Sequence, residues 1–165
     1  MKTLVVMAVA LVGCQGKAKE SPSVETKVES ATTEAVPADV PLPIPSFALQ
    51  VDAPAGSSVT PKDDSNITIG TKQFGLYVME SPADTLQEAV SGFEVASEVL
   101  LSESDGNNYA IHAVYKASIG ADQHSARVQR EIGDKSYRCG GTTEVPKEID
   151  TMIRICKSLR PSNAQ

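Results

Sequence analysis

The pattern of hydrophobic and polar positions along this 165-residue chain changes near residue 46. From there to residue 161, several stretches alternate apolar and polar residues, which is typical of β-strands with one buried face. Seven stretches are predicted as strands on this basis: 47–51, 67–69, 74–78, 99–101, 111–116, 126–132 and 135–139. Within each strand, odd-numbered and even-numbered residues should therefore face opposite sides of a sheet.

Two further stretches repeat their apolar residues at helical spacing. The first is predicted to begin with Ser81 as the N-cap and Pro82 at the first helical position. Asp84, at the third position, would reach back with its side chain to the N-cap amide. Its stripe contains Leu86, Ala89, Val90, Phe93 and Ala96. The second helix is predicted over 145–159, and Pro161 ends it. Its stripe contains Ile149, Met152, Ile153, Cys156 and Leu159.

The element order is thus β-β-β-α-β-β-β-β-α, and links of hairpin length join most of the strands. This order predicts an α+β fold, in which two helices pack on a twisted, largely antiparallel sheet of about six to seven strands. The domain resembles the PsbP-like family in this order, in the Tyr137-Arg138-Cys139 strand end and in the helix end at 155–159. The resemblance implies a non-catalytic accessory or binding protein, and none of the family's functional residues maps onto this chain.

The first residues form a second kind of pattern. Lys2 precedes a run of nine apolar residues at 4–12, which is too short for a membrane-spanning helix of about 20 residues. The run fits the core of a secretory signal peptide; a short buried helix is the alternative. It ends in Leu11-Val12-Gly13-Cys14, which resembles the lipobox of bacterial lipoproteins. That resemblance implies cleavage after Gly13 and acylation of Cys14, which would anchor the chain in a lipid bilayer.

Residues 15–45 contain no aromatic side chain and show neither a helical nor a strand period. Half of the ten prolines lie here: Pro22, Pro37, Pro41, Pro43 and Pro45. Such a segment buries too little apolar surface to offset the entropy of ordering it, so a disordered tether is predicted, with polyproline II at 41–45. A proline-rich ligand for a partner is the alternative. The predicted organisation is a signal peptide at 1–13, a lipidated cysteine and tether at 14–45, and one domain at 46–165.

The charge distribution limits the classes of partner. The formal net charge is −6 and the pI is about 4.9, which argues against a nucleic-acid-binding protein. Basic residues nevertheless outnumber acidic ones, nine to six, in residues 106–165. A basic patch drawn from Lys116, Arg127, Lys135 and Arg138 is a candidate surface for an anionic partner, and ordinary solvated faces are the alternative. Arg127 and Arg130 should lie on opposite faces of their strand.

Two cysteines remain once Cys14 is lipidated. Cys139 ends a strand and Cys156 lies on the stripe of the last helix, so a disulfide between them is predicted. Two free buried thiols, or a metal or redox role, are the alternatives. His112 is predicted on a strand and His124 in a loop, and neither belongs to a recognisable catalytic or metal-binding motif. No catalytic, cofactor-binding or metal-binding residue is therefore predicted.

These patterns together predict a membrane-anchored lipoprotein of the bacterial cell envelope that faces an extracytoplasmic compartment. The domain is expected to act as a non-catalytic binding or accessory module for an envelope protein or a small ligand. The alternative is an envelope hydrolase whose nucleophile and base come from different elements. Gln15, rather than an aspartate, after the lipidated cysteine favours the outer membrane in a host that has one.

Overall fold

The structure is a computed structural model that describes residues 38–94 and 97–162. The predicted signal peptide, Cys14 and the tether up to residue 37 lie outside these residues, as does Ala96. The described part contains ten β-strands and two α-helices. In chain order they are β1 (Asp39–Ile44), β2 (Leu49–Pro54), β3 (Ser58–Asp63), β4 (Asn66–Gly70), β5 (Gly75–Glu80), α1 (Leu86–Glu94), β6 (Glu98–Asp105), β7 (Asn108–Tyr115), β8 (Gln123–Ile132), β9 (Lys135–Thr143), α2 (Pro146–Lys157) and β10 (Arg160–Pro161).

Seven strands form the main sheet in the order β3-β4-β5-β9-β8-β7-β6, and every neighbouring pair is antiparallel. This confirms the predicted α+β fold. The chain crosses through α1 from β5, in the middle of the sheet, to β6 at its edge. Strands β6, β7, β8 and β9 then follow as consecutive antiparallel neighbours, which brings β9 back next to β5. The tight β8–β9 turn uses Gly133 at φ 66°, a left-handed conformation that glycine adopts without strain. Neither α-helix in the described residues is long and apolar enough to span a membrane.

α2 packs on one face of the main sheet and closes the larger core. Its buried residues are Ile149, Met152, Ile153, Ile155 and Cys156. α2 contacts mainly β8 and β9, and its buried side chains belong to one core with apolar residues of β2, β4 and β5. A disulfide joins Cys139 of β9 to Cys156 of α2, with 5.4 Å between the Cα atoms, which confirms the predicted pairing. Closing this loop should stabilise the domain by about 3 kcal/mol on the chain-entropy model.

The predicted domain boundary at Ser46 is wrong. Residues Asp39–Ile44, which were assigned to the tether, form β1 and pair with β2 over six positions. Ile44 is fully buried, and Arg154 of α2 forms an ion pair with Asp39. The even-numbered residues of β1 are apolar, which is a strand period. The prolines between them concealed it, because proline is uncommon inside strands. Proline lacks an N–H and is tolerated on an edge strand, and β1 is the edge of a three-stranded sheet ordered β1-β2-β10.

The predicted start of the first helix is also wrong, because α1 begins at Leu86 and not next to Ser81. Thr85 supplies the cap: the Glu88 amide donates to the Thr85 hydroxyl oxygen at 3.2 Å. In return the Thr85 amide donates to the Glu88 carboxylate at 2.8 Å. This reciprocal capping box outcompetes the Ser-Pro signal. Residues 81–84 are thereby left as a loop, and that loop supplies a side chain to the site described next.

Candidate functional site

The main sheet has a second face, opposite α2, that α1 covers only in part. Ala89 and Phe93 of α1 pack on Ile111 and Ala113, and the contacts of this helix are mainly with β6 and β7. Towards β4, β5, β9 and β8 the strand register places mostly polar residues on this face. They include Asn66, Thr68, Tyr77, Met79, Arg127, Gln129 and Arg138. This part of the second face is where a candidate site is found.

Two arginines lie side by side on it. Arg127 of β8 is opposite Gly140 of β9, and Arg138 of β9 is opposite Gln129 of β8. Directly opposed residues share a face, and so do residues two apart on one strand. The guanidinium groups of Arg127 and Arg138 therefore emerge next to each other. Arg130 lies on the α2 face, as predicted from its parity with Arg127.

Asp84, from the loop before α1, is the shared partner of both arginines. Arg127 Nη2 donates to Asp84 Oδ2, and Arg138 Nη2 donates to the same oxygen at 3.3 Å. The Tyr109 hydroxyl donates to Asp84 Oδ1 at 2.6 Å. The buried Gln129 side chain holds the Asp84 backbone: its Nε2 donates to the carbonyl at 2.8 Å, and its Oε1 accepts from the amide at 3.3 Å. Hydrogen bonds to the side chain and to the backbone of Asp84 thus fix the position of its carboxylate together.

The charges of this cluster do not balance. Two guanidinium groups share one carboxylate, which leaves one unit of positive charge in excess. The side chains of Arg127 and Arg138 are 17% and 24% exposed, so solvent screens them only in part. Within the described structure, the Nε atoms of both arginines are buried and have no hydrogen-bond partner. A buried donor without a partner costs about 1–3 kcal/mol, and the Nε atom of Arg130 on the other face is in the same state, so the excess positive charge is what distinguishes the arginine pair.

Tyr77 borders the arginine pair on β5. A Cβ atom at position 140 would lie 2.1 Å from the Ala126 carbonyl oxygen and 3.0 Å from the Tyr77 hydroxyl oxygen. Only glycine fits there, and its lack of a side chain lets the tyrosine lean across the strand. Burial raises the pKa of Tyr77, and the positive charges of Arg127 and Arg138 oppose that shift. The hydroxyl is therefore a protonated donor at neutral pH.

Tyr109 borders the pair on the opposite side. Burial, followed by the hydrogen bond to Asp84, raises the pKa of Tyr109 to about 12. The Arg127 guanidinium lies over its ring, 5.8 Å from the centroid, in a cation–π contact. We refer to Arg127, Arg138, Asp84, Tyr77 and Tyr109 as the arginine site.

Only half of the predicted basic patch comes together in the fold. Lys116 pairs with Asp122 at 3.3 Å, and Lys135 pairs with Glu80 at 2.8 Å, both at exposed positions. These two lysines form solvated ion pairs, which contribute little to the stability of the fold. The two arginines remain as the part of the patch that forms a site.

A cleft of about 240 Å³ is also found between β6, β7, β8 and α2. Its charged lining consists of Glu103, Asp105, Arg130 and Lys157. Lys157 forms an ion pair with Glu103. With two acids and two bases, this cleft has no excess of charge to select an ionic ligand.

The two histidines, which were predicted to be separate, are in contact. His124 lies in β8 and not in a loop, so that prediction is wrong, whereas His112 lies in β7 as predicted. His112 Nε2 and His124 Nδ1 are 3.0 Å apart, and the ring centroids are separated by 5.3 Å. Burial lowers the pKa of His112, the His124 ring lowers it further, and the charge of Asp150 opposes the shift.

Comparison with known proteins adds little to this geometry. No family model matches the chain, and no curated protein matches it. The chain is similar to a crystal structure from Bacteroides thetaiotaomicron VPI-5482, with 10% identity and a TM-score of 0.46. The match covers 78% of this chain and 50% of that one, so this chain spans about half the length of the matched protein. A likeness of this degree assigns neither family nor activity, and the functional argument rests on the site.

Proposed function

We propose that this chain is a lipid-anchored cell-envelope protein whose domain is a non-catalytic binding module, and that the arginine site recognises an acidic group of its partner. The observation that carries the proposal is the pair of neighbouring, partly exposed guanidinium groups that share one carboxylate. The acidic group is a carboxylate or a phosphate, since both present a pair of oxygens that can accept two parallel N–H bonds from a guanidinium fork.

The geometry supports ligand binding beyond what the internal ion pairs require. Each guanidinium has five N–H donors, and one from each is engaged by Asp84. Because Asp84 and Gln129 hold the loop in place, an incoming oxyanion meets donors that are already oriented. The Tyr77 hydroxyl supplies a further donor beside them. Pre-oriented donors lose little conformational entropy on binding, which raises affinity.

The cellular setting of the proposal comes from the first residues. Acylated Cys14 would hold the domain at a bilayer surface, and two or more acyl chains are needed for stable anchoring. The Cys139–Cys156 disulfide supports an oxidising, extracytoplasmic compartment, because structural disulfides are rare in the bacterial cytosol. Anchoring at the outer membrane follows from Gln15 in a host with two membranes. The PsbP-like resemblance supports an accessory role in that compartment.

The test is an NMR titration that follows the arginine Nε–Hε signals of the full chain as inorganic phosphate or succinate is added. We expect the signals of Arg127 and Arg138 to shift and saturate at millimolar ligand. The double variant Arg127→Gln, Arg138→Gln removes those two signals, so its response is read from the backbone amides of β8 and β9, which should shift in the unmodified chain and no longer shift in the variant. Arg130→Gln is the matched control, because it removes an arginine from the same strand on the opposite face, and it should leave the response intact.

Two outcomes would contradict the anion-binding proposal. The first is that neither Nε–Hε signal responds to phosphate or succinate while the domain is folded. The second is that the amide shifts of β8 and β9 persist in the double variant. A response confined to Arg130 would instead assign binding to the cleft on the other face.

A further inference from the structure

His112 and His124 form a second polar pair, on the α2 face of the main sheet and away from the arginine site. They belong to neighbouring strands, and the register that pairs His112 with Ala126 and Val114 with His124 puts the rings on one face. Both side chains are partly exposed. The chain has only two histidines in 165 residues, and the fold brings their ring nitrogens to 3.0 Å from each other.

We propose that His112 Nε2 and His124 Nδ1 form a two-histidine site for a divalent late transition-metal ion, with Cu²⁺ bound more tightly than Zn²⁺. This function is independent of the proposed anion binding. A metal–imidazole bond of about 2.0–2.1 Å puts two ligand nitrogens about 2.9 Å apart at a right angle and about 3.3 Å apart at a tetrahedral angle. The observed 3.0 Å separation lies between these values, so an ion can enter with little movement of either strand.

The binding step needs a change of tautomer and no net loss of protons. In the hydrogen-bonded pair, one ring donates its N–H to the other. For both facing nitrogens to ligate, the proton on the donor nitrogen moves through solvent to the second nitrogen of the same ring. Each neutral imidazole then presents a lone pair to the ion, and each keeps one N–H on its outer side.

The surroundings favour a cation and indicate which kind. The carboxylates of Asp150 and Asp122 lie close enough to interact electrostatically with His112 and His124 respectively. Among the described residues, no group of three or more His, Cys, Asp or Glu side chains is placed to hold a metal, so water would complete the coordination. Two imidazoles select copper, nickel and zinc over magnesium and calcium, and copper binds tightest in the divalent series.

The test is pulsed EPR of the full chain in detergent with one equivalent of Cu²⁺. The remote nitrogen of a coordinated imidazole modulates the spin echo, and the depth of modulation counts the imidazoles. Because the chain has no other histidine, two coordinated imidazoles can only be His112 and His124. We expect two per copper, and competition by Zn²⁺ only at higher concentration.

Variants provide the second measurement. His112→Gln and His124→Gln should each weaken Cu²⁺ binding at least about tenfold, since removing even an outer-shell partner of a metal ligand costs about 10–100-fold. Asp105→Asn is the control: it removes an exposed carboxylate at the far end of the β6–β7 hairpin and should leave the affinity unchanged. Fewer than two imidazoles per copper in the unmodified chain, or unchanged affinity in either histidine variant, would overturn the proposal. If a variant fails to fold, the imidazole count of the unmodified chain decides alone.

Discussion

Gln129 is fully buried although its side chain is polar. It donates to the carbonyl oxygens of Asp84 and Asn107, and it accepts a hydrogen bond from the Asp84 amide. One side chain thereby joins β8 to the loop before α1 and to the β6–β7 turn. Because Asp84 holds both arginines, the orientation of the arginine site depends on a residue that has no charge.

We predict that Gln129→Leu lowers the free energy of unfolding by about 2–3 kcal/mol, since it leaves buried backbone groups without partners. It should also weaken the phosphate response of the arginines. Gln123→Leu is the control: Gln123 bonds Glu144 at an exposed position, so the cost should stay below about 1 kcal/mol. Urea unfolding of both variants measures the difference. Equal losses would mean that Gln129 contributes no more than a surface amide.

At this scale the sequence predicted part of the site. Strand parity correctly separated Arg127 from Arg130, because the side chains of a strand alternate between two faces. The partner Asp84 was assigned to a helix cap, and the two arginines that it pairs with lie more than forty residues away along the chain. Such long-range pairing depends on strand order, which hydrophobic patterns do not determine. The histidine contact was missed because the start of a strand was placed too late. β8 begins at Gln123, one residue before His124, whereas the predicted strand began at residue 126.

At the scale of elements, apolar periodicity predicted the interior of α2 and the strands of the β7–β9 region. It failed where local signals compete. The prolines at 41 and 43 hid β1, and Thr85 with Glu88 made a better helix start than Ser81. β3 was not predicted because it is almost wholly exposed and contains Pro61. These are two edge strands and a helix end, where a side chain's burial and hydrogen bonding depend on distant partners.

The recognition of β1 as part of the domain leads to a prediction. Ile44→Ala should lower the free energy of unfolding by about 2–4 kcal/mol, as expected for a large-to-small change in a core. Ile44 is 0% exposed, whereas Val40 on the same strand is 42% exposed. Val40→Ala should therefore cost less than about 1 kcal/mol. Urea unfolding of the two variants measures both values. If both variants lowered the free energy of unfolding by the same small amount, residues 39–44 would belong to the tether and not to the domain.

At the scale of the whole molecule, the disulfide bears on the proposed lipid anchor. Cys139 and Cys156 join β9 to α2 inside the domain, and neither thiol is available for lipidation. Cys14 is then the one cysteine of the chain left for an acyl group. The proposed extracytoplasmic destination would account for both the disulfide and the proposed acylation, since export exposes a chain to oxidation and to the enzymes that acylate lipoproteins. The proposed anchor and the disulfide thus depend on the same step.

Replacing Cys14 tests that step directly. In a bacterial host, Cys14→Ser should abolish labelling of the chain by a fatty-acid analogue, because serine offers no thiol for the diacylglyceryl transfer. It should also leave residues 1–13 uncleaved, which the mass of the intact chain would reveal. The control is the double variant Cys139→Ser, Cys156→Ser, which removes the disulfide and should keep the label, since its lipidation site is intact. Labelling that survives in Cys14→Ser, or that disappears from the double variant while the chain is still produced, would place the acyl group elsewhere and remove the basis for the anchor.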